Sequence, residues 1–149
     1  VLASREALRA MLGMLDVKTM VAIGALFGAA TALVSVCLRA RFPLAFDGFQ
    51  VTPLAVISVA LFAISVSLIL FGWLQTRLGQ ILPPAIAALV VSGVFIGAQF
   101  LQTRSWLVAA SNAGYYSLPF LRWKTGSLGA CAVAIFSAEI LLWMVFYKQ

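Results

Sequence analysis

The stretch that decides the fold is Val51–Leu74, VTPLAVISVALFAISVSLILFGWL, which holds no Asp, Glu, Lys or Arg. A helix rises about 1.5 Å per residue, and about 20 apolar residues cross a hydrocarbon core, so this stretch is long enough to span a membrane. It lacks the period-two alternation of a membrane-barrel strand. Pro53 falls near its start, where a missing N–H is tolerated in the first turn of a helix.

Working outward, three more stretches read the same way. Thr19–Leu38 and Leu82–Leu101 carry no charge, and Gly126–Phe146 carries one, Glu139. Pro83 and Pro84 open the third. Composition agrees: 64% of the 149 residues are hydrophobic and 9% charged, against about 45–50% and about 25% in soluble domains. The mean hydropathy is +1.09. The expectation is an all-α integral membrane protein, a single membrane domain over residues 1–149 with four transmembrane helices. Ahead of them, Leu2, Leu8, Met11, Leu12 and Leu15 recur at roughly helical spacing with Arg5, Glu6 and Arg9 between. That pattern predicts a short amphipathic helix over Ser4–Leu15, lying at the interface or packing on a neighbouring subunit.

Pro43 and Asp47–Gly48 mark a turn in Arg39–Gln50, and Gln75–Ile81 reads as a tight turn. Gln102–Thr125 reads as a loop whose Trp106, Tyr115, Tyr116 and Trp123 form an interfacial aromatic belt. Four crossings put both termini on one side. The cations then divide evenly, Arg5, Arg9, Lys18, Arg77 and Lys148 against Arg39, Arg41, Arg104, Arg122 and Lys124.

Ten Lys/Arg against four Asp/Glu give a net charge of +6. These cations are scattered at span ends, which fits membrane-edge anchoring and not nucleic acid. Arg39, Arg41, Arg77, Arg104, Arg122 and Lys124 are candidate contacts for lipid head groups. The sequence has no histidine, and Cys37 and Cys131 lie in apolar runs without CxxC spacing. No Ser-His-Asp set, HExxH, P-loop or GxGxxG occurs. The expectation is a chain with no catalytic, metal or cofactor residues, and bound phospholipid as its small molecule.

Gly24 and Gly28, Gly93 and Gly97, and Gly126 and Ala130 are small-residue pairs at four-residue spacing, which let membrane helices approach closely. Glu139 is the ionisable residue well inside a span, and a carboxylate there costs a few kcal/mol unless protonated, paired or wetted. Ser137 lies two residues away, on the wrong face of the helix to reach it. A structural Glu139 therefore takes its hydrogen-bond partner from another helix or chain, while a functional one serves as a proton relay, ion site or substrate contact.

The punctuation of the spans resembles subunit III of the haem-copper (cytochrome c) oxidases. The similarity lies in Leu38-Arg39-Ala40-Arg41 followed by Pro43, in Ser65 and Ser67, in Arg77 and Gly79, in Gly97-Ala98-Gln99-Phe100-Leu101, in Gly114 and Tyr115, and in Thr125-Gly126-Ser127-Leu128-Gly129. Leu128 and Cys131 stand where that family carries histidines, and Gly24 to Ala30 lack its carboxylate. The resemblance implies a non-catalytic subunit beside a catalytic one, with lipid among its helices.

The expectation that follows is a non-catalytic accessory subunit of a multi-subunit membrane complex of the respiratory chain, with other membrane subunits and lipids as partners. Val1 in place of Met and the Ala/Val-rich composition suggest a processed protein of the mitochondrial inner membrane, with a bacterial inner membrane as the alternative. A different class of function is a small homo-oligomeric channel or transporter built around Glu139.

Overall fold

The structure is a computed structural model that describes residues 16–41 and 52–146. The amphipathic segment expected at Ser4–Leu15 and the Pro43 and Asp47–Gly48 turn lie outside them. The described residues are helical almost throughout, with no strand among them. Helix α1 is Val17–Arg41. Helix α2, Pro53–Val66, continues through a π-helical segment, Ser67–Leu74, into α3, Gln75–Gly79. Helix α4 is Pro84–Thr103 and α7 is Leu128–Phe146. Between these two lie α5 (Trp106–Ser111), a 3₁₀ turn (Ala113–Ser117) and α6 (Leu118–Thr125).

Four of these stretches are long and apolar enough to cross a membrane: Val17–Arg39, Pro53–Gly79, Pro84–Thr103 and Leu128–Val145. The protein is thus an integral membrane protein. Local chemistry sets the helix ends. The Thr52 hydroxyl accepts from the Ala55 N–H at 3.2 Å and Pro53 occupies the first turn, leaving fewer orphan donors. Arg104 closes α4 in the left-handed region at φ 54°. Gly126 closes α6 at φ 67°, a conformation that glycine adopts without a side-chain clash. The Ser127 hydroxyl then caps α7, accepting from the Ala130 N–H at 3.1 Å.

Helices α1 and α7 pack along each other in close contact and run parallel. Met20 meets Gly129, Gly24 meets Ala130 and Val133, and Gly28 meets Ala134 and Ser137, so both helices ascend together. A Cβ on Gly28 would lie 2.5 Å from the Ala134 carbonyl oxygen. Helix α2 runs against α7 in the opposite sense, with Ala60 and Ile64 near Ala132 to Phe136 and Gly72 near Leu128.

The parallel pair changes the topology. From the far end of α1, the chain returns through α2 and α3 and crosses again through α4. To start α7 beside Met20 it must cross once more, and residues 104–127 do so. Trp106 stacks on Phe100 at the end of α4 (ring centroids 4.0 Å apart). Ser92, midway along α4, bonds the Tyr116 carbonyl. Gly126 and Arg122 lie beside Gly79 and Pro84, at the start of α4. The segment read as an interfacial loop is therefore a broken return crossing. Its two short helices and 3₁₀ turn cover a thickness that about 20 helical residues span. The start of α1 and the end of α7 consequently lie at opposite ends of the bundle. The even split of cations belonged to the four-crossing arrangement, and the return crossing moves Arg122 and Lys124 to the end that holds Lys18 and Arg77.

The core forms around this return crossing. Tyr115, Leu118, Pro119 and Leu121 are buried, together with Phe71, Val91, Phe95, Cys131, Ala134, Ile135 and Ala138. The outward faces of the spans carry Leu26, Leu33, Leu61, Ile69, Leu89 and Val94, all exposed. That is the distribution expected where lipid or other membrane helices replace water.

Candidate functional site

A helix that breaks in a membrane frees backbone carbonyls with no water to satisfy them, which is tolerated only where protein groups take over. Here each of the four long spans supplies one side chain to a carbonyl of the return crossing. The Thr31 hydroxyl of α1 lies 3.5 Å from the Gly114 oxygen, at the long limit of a hydrogen bond. Gln75, at the start of α3, donates its Nε2 to the Pro119 oxygen at 2.8 Å. The Ser92 hydroxyl of α4 donates to the Tyr116 oxygen at 2.6 Å. The Cys131 thiol of α7 lies 3.7 Å from the Leu118 oxygen. Within the crossing, Ser117 donates to Gly114, Ser111 to Val108 and Thr125 to Leu121 at 2.6–2.8 Å, and the Tyr116 hydroxyl donates to the Ala109 carbonyl.

The break also carries Tyr115 inward. Its hydroxyl donates to Glu139 Oε1 at 2.7 Å, and its ring meets Phe95 edge-on with centroids 6.5 Å apart. Only 4% of Tyr115 is exposed. The partner that Glu139 requires from another element is thus this tyrosine. Arg39, on the last turns of α1, donates to Asn112 Oδ1 at 3.0 Å and to the Ser111 hydroxyl at 3.4 Å. Asn112 in turn donates to Gln99 Oε1 on α4 at 3.3 Å. One polar core therefore joins α1, α4, the return crossing and α7.

The aromatic-belt reading divides on this geometry. Trp106 is exposed and Trp123 is exposed on the rim, with Lys124 Nζ 4.3 Å from the Trp123 ring centroid. Tyr115 is buried and Tyr116 half-buried, and both face the protein because Phe95, Ser92 and Glu139 hold them there. The sequence reading missed Tyr115, Asn112, Ser92 and Gln75 as a group. Their signal was a polar residue on each span with no obvious companion.

The other candidate residues scatter. Arg77 and Arg122 line one groove, whereas Arg104 ends α4 at the opposite end of the fold. Arg41 closes α1 at that same far end. The small-residue pairs part company as well. Gly24 and Gly28 sit in the α1–α7 contact and Ala130 is fully buried, while a Cβ on Gly93 or Gly97 would meet nothing within 4 Å. Gly126 serves as the left-handed end of α6. Among the described residues, no three His, Cys, Asp or Glu side chains come together.

No protein-family model matches this sequence, and no curated protein or solved structure matches it.

Proposed function

We propose that this chain is a non-catalytic, membrane-embedded subunit of a multi-subunit membrane complex. The observation that carries the proposal is the use to which its interior polar groups are put. Glu139, Tyr115, Arg39, Asn112, Ser92 and Gln75 all make hydrogen bonds that fix the return crossing among the spans. Their hydrogen bonds hold a rigid helical body together. Most of the remaining surface is apolar, and the glycine-bearing face of α4 is open to a neighbour. The finer form of the proposal is a respiratory-chain subunit of the mitochondrial inner membrane resembling oxidase subunit III, with a bacterial inner membrane as the alternative setting. It is supported by the sequence punctuation quoted above. Affinity purification through mild detergent is expected to recover larger membrane subunits with this chain. A stable isolated monomer or homo-oligomer with an activity of its own would contradict the proposal.

One observation favours a second reading. Transporter binding sites are built at breaks in membrane helices, and here the break brings Tyr115 to Glu139 at mid-depth. A small transporter using Glu139 predicts ion or solute flux from the purified chain in liposomes, reduced by Glu139→Gln. Absence of flux from the wild-type chain supports the subunit reading.

A further inference from the structure

The π-helical segment shapes a groove that the subunit reading does not use. A π-helix bonds i to i+5 in place of i+4, which is rare beyond a single turn and concentrated at functional sites. Here it runs for eight residues. Along it and the following α3, Leu68, the adjacent Gly72 and Trp73, and Arg77 recur at intervals of four or five and line one face. Across from them stand Leu128, at the start of α7, and Arg122, near the end of α6. The cavity between has a volume of about 580 Å³, within the range of about 300–1,000 Å³ for small-molecule sites.

The groove is polarised along the axis of the spans. Leu68, Gly72, Trp73 and Leu128 form its apolar part. Thr76, Arg77, Gln80 and Arg122 form its outer part, where α3 ends and the chain turns towards Pro84. Among the described residues, no carboxylate lines it. Gly72 keeps the floor open, since a Cβ there would lie 3.2 Å from Leu128 Cδ1. Arg122 is held in place by donating to the Gly126 carbonyl just past the end of its own helix. Arg77 is exposed, at the mouth.

We propose that this groove binds one anionic phospholipid, its phosphate between Arg77 and Arg122 and an acyl chain over Gly72 against Leu68, Trp73 and Leu128. Two cations above an apolar slot that opens sideways match the chemistry of a charged head group joined to a hydrocarbon tail. The inference does not draw on the hydrogen bonds that carry the subunit proposal, because it concerns the end of the molecule away from Arg39 and Asn112.

The test is native mass spectrometry of the full chain in detergent, titrated with dioleoyl phosphatidylglycerol, with dioleoyl phosphatidylcholine, and with sn-glycerol 3-phosphate as a soluble competitor. The wild-type chain is expected to hold one phosphatidylglycerol with about tenfold preference over phosphatidylcholine, the scale of about one favourable cation–anion contact. Arg77→Gln with Arg122→Gln should weaken phosphatidylglycerol about thirtyfold, the effect of removing two facing cations. The charge-matched pair Lys18→Gln with Arg104→Gln, outside the groove, should change it less than about threefold on the same scale. Gly72→Leu keeps both arginines, fills the slot and should abolish retention, which secures the test should the arginine pair fail to fold. Equal losses in the two charge pairs, no preference between the lipids, unchanged binding by Gly72→Leu, or displacement by equimolar glycerol 3-phosphate would each overturn the proposal.

Discussion

Helix α4 and the return crossing that follows it traverse the same thickness by different means. Pro84–Thr103 satisfies its backbone within itself, apart from its ends, and leaves its outward face apolar. Trp106–Thr125 breaks twice, at Asn112 and near Leu118, and its Gly114, Tyr116, Leu118 and Pro119 carbonyls take side-chain contacts from neighbouring spans. The first is a membrane helix by composition. The second is one by context, since a polar, interrupted segment crosses only where other helices sheathe it. A span of the first kind tolerates substitution on its outer face, whereas the second couples its stability to residues on four other elements.

Bulk at glycine gives the largest contrast. Gly28→Leu drives a side chain into the Ala134 carbonyl and is expected to destabilise the fold by about 3 kcal/mol or more, as overpacking of a tight contact does. Gly97→Leu projects into open space and should stay within about 0.5 kcal/mol, as for surface changes. Unfolding titrations in mixed micelles compare the two. Equal effects would mean that α4 packs on something in the isolated chain.

The polar core comes next. Glu139→Leu leaves the Tyr115 hydroxyl without its acceptor, and should cost about 1–3 kcal/mol. Glu139→Gln keeps an acceptor for Tyr115 and should cost under about 1 kcal/mol, near the mean for one hydrogen bond inside a membrane. If Gln destabilises as much as Leu, the charge itself holds the core together and the hydrogen bond is secondary.

Single hydroxyls give the smallest effects and the finest comparison. Ser92→Ala removes the donor to the Tyr116 carbonyl of the broken crossing and should cost about 0.6–1.7 kcal/mol. Ser58 donates to the Leu54 carbonyl at 2.9 Å, four residues back in an unbroken helix. That carbonyl already has its helical N–H, so Ser58→Ala should be close to neutral. The same titration reads both, and a larger effect at Ser58 would refute the distinction between the two kinds of crossing.

The four long spans were legible because apolar length is a property of composition alone, as Val51–Leu74 shows. The prolines at 53 and 84 were readable for the same local reason. Trp106–Thr125 was not, because Ser111, Asn112, Arg122 and Lys124 lower its hydropathy, and Gly114 and Pro119 interrupt its helix. What makes it a crossing lies on other segments, in Thr31, Gln75, Ser92 and Cys131. One clue was within reach: a 24-residue connection exceeds the about 12–15 residues beyond which structureless loops in compact domains are uncommon. The glycine pairs teach the same lesson. Gly24–Gly28 and Gly93–Gly97 share one spacing, and only three-dimensional context separates the contact from the open face. Glu139 was visible as an anomaly, while Tyr115 came to it through a topology that spacing does not encode.

The polar core depends on the return crossing, and the sidedness of the two termini tests that crossing most directly. Epitope tags fused ahead of Val1 and after Gln149 can be challenged with protease in sealed, oriented membrane vesicles, then again after permeabilisation. Five traverses predict that one tag is cleaved in sealed vesicles and the other is protected until the membrane is opened. Both tags cleaved, or both protected, would restore the four-crossing arrangement and contradict the sheathed crossing on which the polar core depends.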